Sequence, residues 1–504
     1  MRNKEYLLGI DVGSTNIKSV IFDTTGVEVA TVTKRMQIEH PFPGWVERDM
    51  NLLWQITKDV IKSSIVSSSI EPSRIIAVGV CGQGDGLYLL DKENCPVRKG
   101  ILSIDTRATE IIFRWEKKGL IEELFPLIGQ KPHTGSPLPI LYWLKNNEPD
   151  NFSKIKWILF CKDFIKYKLT GIICTDETDP SATLTDVNTR KYSEKIFEIV
   201  ELEECKEMLP EIIPAWDICG KITKGASEET GLIEGTPVCS GLHDINATGL
   251  GAGCIKQGQL LIILGTWEIN QLIMDKVILD PNKRCLTRVY VLPGKWLLLN
   301  PSPAATSNLN WFIDNFCKDK IIEAERQNTT PHALCDKEIE DVPLGSENLF
   351  YLPFLYGKVD EPRAKAGFYG ITGKHTQKHL LRSIYEGVAF STAMLIEEMG
   401  RLSEIKEIFV AGGGARSKIW VNILANVLNF PVKVPSGIEA GARGAAMCAG
   451  VSVGLFRNLL SAAETFTSLS YEQHPFDSQV KEYKRLYSIW KDSLPLFSKI
   501  WAKI

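Results

Sequence analysis

The sequence predicts an α/β protein built from two similar halves that meet at a cleft. Three observations support this fold class. The chain has 504 residues, more than a single hydrophobic core usually serves. Strand-like and helix-like hydrophobic patterns alternate along its length. The strand–polar loop–strand pattern of YLLGIDVGSTNIKSVIF returns about halfway along the chain as QLLIILGTWEINQLIM.

Composition excludes several classes of function. The net charge is -3, the sequence pI is about 6.3 and there are no basic runs, so we expect no nucleic-acid partner. No apolar run approaches membrane-spanning length, and the N-terminus lacks the apolar core of a secretory signal, so we expect no membrane association. Twelve scattered cysteines without a CxxC pair favour a reducing, cytoplasmic location.

The first half opens with short strand signals that a glycine turn joins into an antiparallel meander. These signals lie at residues 6–10, 17–22 and 27–33. A helix is predicted around residues 50–68, followed by a strand at residues 75–80 that ends in the loop CGQGDG. Apolar strands that end in polar, glycine-rich loops are where open α/β sheets bind ligands. We therefore expect a ligand site at this end of the sheet.

The first strand is interrupted by Asp11 and a run of small polar residues. A buried aspartate is costly unless a cation or hydrogen-bond donors meet it. The small polar residues that follow suit a phosphate and its metal ion. A hairpin turn capped by Asp11, with Gly13 supplying backbone freedom, is the alternative interpretation.

The second half is predicted to begin near Asn246, where the glycine-rich segment ATGLGAG suits a hinge. We therefore predict an N-terminal domain of residues 1–246 and a C-terminal domain of residues 247–504. The later segment EIFVAGGGARSKIWVNILANVLNFPVKVP combines a strand, a glycine-rich turn and a helix. Backbone N–H groups at such a helix start bind anions, although a structural turn that allows close packing is the alternative. The segment EAGARGAAMCAG predicts a tightly packed helix of small residues.

Motifs exclude two common nucleotide-binding classes and identify a third. The sequence has no GxxxxGK[ST] loop and no GxGxxG fingerprint, which argues against a P-loop kinase and a Rossmann dehydrogenase. AGFYGITGKHTQKHLLRSIYEGV resembles the C-terminal signature of the FGGY carbohydrate kinases. GSPLPILYWLKNN resembles their other signature, except that Ile140 stands where a lysine is usual. The resemblance extends over essentially the whole chain.

The resemblance implies an actin-like (ribonuclease H-like) ATPase fold, with two similar α/β domains and an interdomain active-site cleft. It implies transfer of the γ-phosphoryl group of ATP to a hydroxyl of a sugar or polyol, with Mg²⁺. It also implies a homo-oligomer, such as a homodimer.

The resemblance further assigns roles to residues in both halves. The resemblance implies that Asp11 holds the metal ion and that Asp244, in GLHDINATGLGAG, is the catalytic base. The family often has glycine before this aspartate, where this chain has His243, and Asn or Gln after it, where this chain has Ile245. A helix N-cap is the alternative role for Asp244. The residues expected to bind the nucleotide are Gly13, Ser14, Thr15, Lys18, Gly265, Thr266, Asn310, Gly413 and Gly414.

The loop CGQGDG indicates the substrate. Its Gly84-Asp85 pair differs from the Met-His of D-xylulose kinases and the Arg-Glu of glycerol kinases, and it resembles L-xylulose and erythritol kinases. Asp85 can accept hydrogen bonds from two adjacent hydroxyls, so we expect L-xylulose or a similar neutral ketopentose, with erythritol as the alternative. The other expected substrate contacts are Gln83, Glu47, Asp105 and Arg107.

Two alternatives stay open at this point. The charged residues Glu47, Asp105 and Arg107 also suit surface positions or a structural Asp–Arg pair. A non-catalytic actin-like nucleotide-binding protein, or a sugar-binding regulator that has lost catalysis, is the alternative to a kinase. Sugar-dependent ADP release distinguishes these classes.

Overall fold

The computed structural model describes residues 4–503. Two large sheets of mixed strand direction dominate this range, each with seven strands. The elements from residue 6 to residue 251 are β1 (Tyr6–Val12), β2 (Asn16–Asp23), β3 (Glu28–Arg35), β4 (Glu47–Arg48), α1 (Met50–Ser68), β5 (Ile75–Gly82), β6 (Tyr88–Leu90), β7 (Gly100–Ile101), α2 (Thr109–Lys117), α3 (Leu120–Ile128), α4 (Pro137–Asn147), α5 (Pro149–Phe152), β8 (Trp157–Leu159), α6 (Cys161–Thr170), β9 (Thr185–Asp186), β10 (Lys191–Tyr192), α7 (Glu194–Ile199), β11 (Ile218–Lys221), α8 (Lys224–Thr230), β12 (Pro237–Cys239), β13 (Leu242–His243) and α9 (Asp244–Gly251).

The later elements belong to the second half. They are β14 (Gln259–Leu264), β15 (Glu268–Met274), β16 (Leu286–Val289), β17 (Trp296–Ser302), α10 (Thr306–Phe316), α11 (Lys318–Gln327), α12 (Pro331–Ile339), β18 (Phe350–Leu352), β19 (Gly367–Tyr369), α13 (Gln377–Glu398), β20 (Glu407–Ala411), α14 (Lys418–Leu428), β21 (Val432–Pro435), α15 (Ala440–Ser452), α16 (Leu459–Phe466), β22 (Leu469–Gln473) and α17 (Asp477–Trp501).

The two sheets repeat one strand order. The first runs β3-β2-β1-β5-β12-β11, and the second runs β17-β15-β14-β20-β21-β22 with β16 added beyond β17. The central pairs β1–β5 and β14–β20 are parallel, whereas the hairpins β1–β2 and β14–β15 are antiparallel. Because order and direction both agree, the sequence repeat reflects a repeated fold. The predicted pair of similar α/β halves is confirmed.

Local signals fix the first elements. Helix α1 covers Met50–Ser68, the predicted range, and its start is capped by Asp49, whose side chain accepts hydrogen bonds from two backbone amides. The predicted meander β1–β2–β3 is also present. Its second turn uses Gly26 at φ 88°, a left-handed conformation that favours glycine.

The two halves share part of their core. Helix α15, late in the chain, packs on β1 and β5 of the first sheet and crosses α9. The backbones approach with almost no side chain between them: a Cβ on Gly79 would stand 2.0 Å from the carbonyl oxygen of Ala445, and one on Gly444 would stand 2.1 Å from that of Ala247. The predicted helix of tightly packed small residues is therefore confirmed. The domain boundary between residues 246 and 247 falls inside α9 and stays a prediction.

Two further features concern the described range as a whole. Among the helices of residues 4–503, none combines the length and the apolar character that crossing a bilayer requires. All twelve cysteines are free thiols, and Cys95 alone is exposed. The others pack as small core residues, as their apolar surroundings predict.

Candidate active site

Three parallel strands of the first half end together at one edge of the sheet. In the register of the sheet, the last residue of β1 lies beside the last residue of β5, which lies beside the last residue of β13. Asp11, Gln83 and Asp244 therefore stand on neighbouring strand ends. Carboxyl ends of parallel strands are where α/β sheets bind ligands, so this edge is the candidate active site.

Asp244 is the first residue of α9, and its side chain is 35% exposed. The N-cap residue of α9 is His243, and α9 has no side-chain capping hydrogen bond, so the capping alternative does not describe Asp244. Burial raises the pKa of Asp244 well above its ordinary value, and the negative charges of Asp11 and Asp179 add to this effect. Asp244 therefore holds a proton more readily than an aspartate in water.

The segment DVGSTNIK, which is expected to bind phosphate, is called the first phosphate motif, and it pairs Asp11 with Lys18 across the β1–β2 hairpin. The Nζ atom of Lys18 lies 2.5 Å from Oε2 of Glu439, just before α15. Burial alone would lower the pKa of Lys18, but Asp11 and Glu439 outweigh it and raise that pKa. Burial raises the pKa of Asp11, and Lys18 opposes the rise. The lysine of the first motif is thus cationic and is held by a residue of the second half.

The loop between these strands is fixed by hydrogen bonds to its backbone. The amide of Gly13 donates to the carbonyl of Asn16 at 3.0 Å. The buried guanidinium of Arg48 donates to the carbonyl of Gly13 at 3.0 Å and also to that of Ser14. Ser14 is half-buried and Thr15 is exposed, so both are open to a ligand.

The second half repeats this arrangement at Gly265 and Thr266, between β14 and β15. The amide of Gly265 donates to the carbonyl of Trp267, two residues later, at 3.0 Å, whereas the amide of Gly13 donates to a carbonyl three residues later. Helix α10 starts against this turn, because the hydroxyl of Thr306 donates to the carbonyl of Gly265 at 2.7 Å. Thr266 is exposed. Each half therefore carries one strand–loop–strand turn in which a glycine amide bonds within the loop.

The remaining predicted nucleotide residues are neighbours of this second turn. A Cβ on Gly414 would stand 2.8 Å from that of Leu264, the last residue of β14, so the glycine turn packs against the loop. Gly413 is exposed and has open space around it. Asn310 lies on α10, and its Oδ1 is 2.7 Å from Nε2 of His332. Gly414 thus lies against the second turn, whereas Asn310 contacts the neighbouring helix α12, and the nucleotide-binding role of these residues stays a prediction.

The loop after β5 carries Gln83 and Asp85, which are both buried. Nε2 of Gln83 donates to the hydroxyl of Tyr88 at 3.1 Å. Asp85 forms a bidentate pair with Arg288, from β16 of the second half, at 3.0 and 3.1 Å. Burial would raise the pKa of Asp85, but Arg288 and then His133 outweigh it and lower that pKa. Asp85 is therefore an ionised carboxylate that is already paired across the two halves.

Glu47, Asp105 and Arg107 form a separate ion cluster. Arg107 donates to Asp105 at 2.9 and 2.8 Å and to Glu47 at 2.7 Å. Its guanidinium carbon lies 4.0 Å from the ring centroid of Trp45, and the side chains of Asp105 and Arg107 have no exposed surface. This geometry is that of the structural Asp–Arg pair that the sequence left open. A role in substrate binding for these three residues stays a prediction.

Three residues that the sequence analysis did not single out hold the site together. They are Arg48, Arg288 and Glu439. The sequence could have indicated Arg48, because this residue lies in the polar segment PGWVERDM just before α1. No sequence pattern indicated Arg288, because its partner Asp85 lies 203 positions earlier in the chain. Ile140, the departure from the family signature, is a fully buried residue of an apolar cluster.

The residues of this edge fit a magnesium ion. Mg²⁺ prefers oxygen ligands and is usually held by one or two carboxylates together with water and substrate phosphates. Asp11 supplies such a carboxylate beside the first phosphate loop, and the charge of Asp11 already acts on Asp244. A site of this kind is completed by the nucleotide.

Two repeated α/β halves of this topology, with a strand–loop–strand turn in each, define the actin-like ATPase fold. A solved structure has the same architecture: the ligand-bound xylulose kinase from Lactobacillus acidophilus matches with a TM-score of 0.89 and 23% identity, over 99% of each chain. The fold predicted from the resemblance is confirmed.

Sequence comparison then identifies the family. Models of the N-terminal and C-terminal domains of the FGGY family of carbohydrate kinases match residues 6–251 and 260–453. The chain is 35% identical over 446 residues to a probable L-xylulose kinase from Pasteurella multocida, covering 88% of this chain and 90% of the relative. It is 33% identical over 460 residues to the L-xylulose/3-keto-L-gulonate kinase of Escherichia coli K12, covering 91% and 90%. The chain belongs to the FGGY family of carbohydrate kinases.

Proposed function

We propose that this carbohydrate kinase transfers the γ-phosphoryl group of ATP to a hydroxyl of a small neutral ketopentose such as L-xylulose, with Asp244 as the base and with Mg²⁺. The observation that carries the proposal is the position of Asp244, on the strand edge that also presents Asp11 and Gln83. The two relatives named above support the choice of sugar.

The proposed reaction is an in-line phosphoryl transfer. Asp244 accepts the proton of the attacking hydroxyl, whose oxygen bonds to the γ-phosphorus while the bond to the bridging oxygen of ADP breaks. Such a reaction requires mainly positioning and neutralisation of charge. Lys18 supplies a cation, and the loop residues that follow Gly13 and Gly265 supply backbone amides, since the two glycine amides already bond within their turns. When bound at Asp11, Mg²⁺ adds positive charge against the phosphates.

The elevated pKa of Asp244 suits this role. A carboxylate in its deprotonated form accepts a proton more effectively when its pKa lies closer to the working pH. Burial is the main cause of the elevation, and the charge of Asp11 is the second. A cation held at Asp11 would oppose that second cause, because it would counter the negative charge of Asp11.

A second candidate substrate is a keto sugar acid. The E. coli relative is named for 3-keto-L-gulonate as well as L-xylulose. In this chain the carboxylate of Asp85 is neutralised by Arg288, so the pocket is less negative than the sequence suggested. Erythritol stays the alternative among neutral substrates.

The test is ADP release in a coupled assay with Mg·ATP. The panel contains L-xylulose, D-xylulose, L- and D-ribulose, erythritol, ribitol and 3-keto-L-gulonate. We expect one ketopentose to give the highest kcat/KM, loss of turnover on chelation of divalent cations, and recovery when Mg²⁺ is added back. Turnover of 3-keto-L-gulonate alone would favour the sugar acid. Absence of turnover with every compound, in protein that binds ATP by calorimetry, would contradict the proposed function.

A further inference from the structure

The residue before the proposed base has an unusual environment. His243 is 4% exposed, and its Nε2 lies 3.2 Å from Oδ1 of Asp244. Its backbone amide donates to the hydroxyl of Thr178 at 2.9 Å, so the main chain is anchored independently of the ring. Its Nδ1 is buried and has no hydrogen-bond partner within the described residues. Nε2 of the ring therefore faces the carboxylate of Asp244 at hydrogen-bonding distance, but the two groups are not aligned as a hydrogen bond in this structure.

The imidazole is neutral. Burial lowers the pKa of His243 to about 3, and the positive charge of Arg288 acts in the same direction. A neutral imidazole donates from one nitrogen only. When Asp244 is a carboxylate, its oxygens accept hydrogen bonds, so the proton of the ring belongs on Nε2. Contacts of this kind are often poorly aligned without ligands and tighten when substrates bind.

Gly84 provides the space that this ring occupies. A Cβ at position 84 would stand 1.9 Å from Nε2 of His243 and 2.2 Å from Cδ2. A larger residue at 84 would therefore collide with the ring of His243, so the ring or the loop would have to move. The Gly84-Asp85 pair of the substrate loop and the His243-Asp244 pair of β13 and α9 are thus one packed unit.

We propose that His243 is a positioning residue, whose Nε2–H holds the carboxylate of Asp244 towards the attacking hydroxyl in space that Gly84 leaves free. This inference rests on the proposed function, since it assumes that Asp244 is the base. It explains two sequence departures together, the histidine before the base and the glycine after Gln83 in CGQGDG.

The first test compares His243→Phe, which keeps an aromatic ring without a donor, with His243→Gln, which keeps an N–H. Loss of a hydrogen bond to a charged group lowers kcat by roughly 10- to 100-fold. We expect that loss in His243→Phe, with the KM for ATP unchanged, and at least partial recovery in His243→Gln.

The pH profile separates positioning from packing. A donated hydrogen bond favours the carboxylate form of Asp244, so its loss moves the acidic limb of kcat/KM to higher pH by roughly 1 unit. The limb should return towards the wild-type position in His243→Gln. The charged groups that surround the pair are the same in all variants: Asp11, Asp85, Asp179, Arg288 and Lys162.

The second test uses Gly84→Ala, which leaves the histidine in place and displaces its ring. Because a side chain can turn aside, we expect a folded protein with a loss of kcat similar to that of His243→Phe. In a His243→Ala background, Gly84→Ala should cause little further loss, since the two changes act on one contact. Gly225→Ala is the matched control, because that glycine has open space around it.

The outcomes distinguish the inference from the proposed function. Wild-type kcat and pH profile in both His243→Phe and Gly84→Ala, with Asp244→Asn inactive, would overturn the inference and leave the base in place. Full turnover in Asp244→Asn would overturn the proposed base and the inference with it. If Gly84→Ala lowered kcat as much in the His243→Ala background as in the wild type, the proposed action of residue 84 through the ring of His243 would also be overturned.

Discussion

Gly79→Ala tests how the two halves are held together. Gly79 of β5 lies beside Gly9 of β1 in the register of the first sheet, and α15 of the second half crosses both. A Cβ at position 79 would stand 2.0 Å from the carbonyl oxygen of Ala445, whereas ordinary contact begins at 3.4 Å. The atoms that this Cβ would meet all belong to the backbone of Ala445, so no flexible side chain can turn aside. The helix must move by more than about 1 Å, well beyond what close-packed interiors absorb freely.

The expected loss follows from this geometry. Overpacking a core usually costs about 1–3 kcal/mol, and a backbone clash lies at the upper end. The smaller entropy of the unfolded alanine chain opposes this by about 0.4–1 kcal/mol. A net loss of roughly 2 kcal/mol lowers the apparent Tm of a domain of this size by about 4–8 °C. The same shift displaces Gly441, where a Cβ would lie 2.9 Å from Oδ2 of Asp11, so the KM for ATP should rise.

The assay is differential scanning calorimetry at fixed protein concentration, together with ATP kinetics. Gly225→Ala, in α8, adds the same methyl group in open space and controls for the general effect of alanine. We expect its apparent Tm to match or slightly exceed that of the wild type. An apparent Tm of Gly79→Ala within 1 °C of the control would refute the close backbone contact between α15 and the first sheet.

Three further predictions concern charged residues of the site. Arg288→Met leaves the buried carboxylate of Asp85 without its main partner, so we expect a loss of stability of about 3–5 kcal/mol by denaturant titration and a raised sugar KM, whereas retention of both would contradict the pairing. The pKa of Asp85 is lowered on folding, so its stabilisation is complete above its unfolded pKa of about 3.9 and is lost as pH falls towards the folded value. Asp85→Asn should therefore flatten the acid side of the stability curve below about pH 4, and an unchanged curve would count against an ionised Asp85. Lys18→Met should raise the KM for ATP at least about 10-fold with little change in sugar KM, and an unchanged KM for ATP would remove Lys18 from the phosphate site.

Local patterns determined much of the fold. The helix predicted around residues 50–68 is α1, whose N-cap Asp49 the structure reveals, and the glycine turn at Gly26 located the first meander. The repeat of strand, small polar loop and strand located the second sheet, because equivalent hairpins need similar short-range sequence. Small residues in α15 indicated close packing, but the sequence did not reveal that its partner is the sheet of the other half.

The sequence alone did not predict which charged residues, distant from one another in the chain, form pairs in the fold. Asp85 was expected to bind substrate hydroxyls, yet its bidentate partner is Arg288 in the other half. Asp105 and Arg107 are only two positions apart, but their contacts with Glu47 and the Trp45 ring depend on tertiary packing. The sequence therefore singled out charged residues without identifying which of these charges pair with one another.

The most direct test of the account is the chemical step in Asp244→Asn. ATP and L-xylulose binding would first be measured by calorimetry, and ADP formation in a single turnover would then be followed in wild type and variant. A general base contributes typically about 10²- to 10⁴-fold, so we predict a loss of this size with ATP affinity unchanged. ADP formation in Asp244→Asn at the wild-type rate, with both ligands bound, would contradict the assignment of Asp244 as the base.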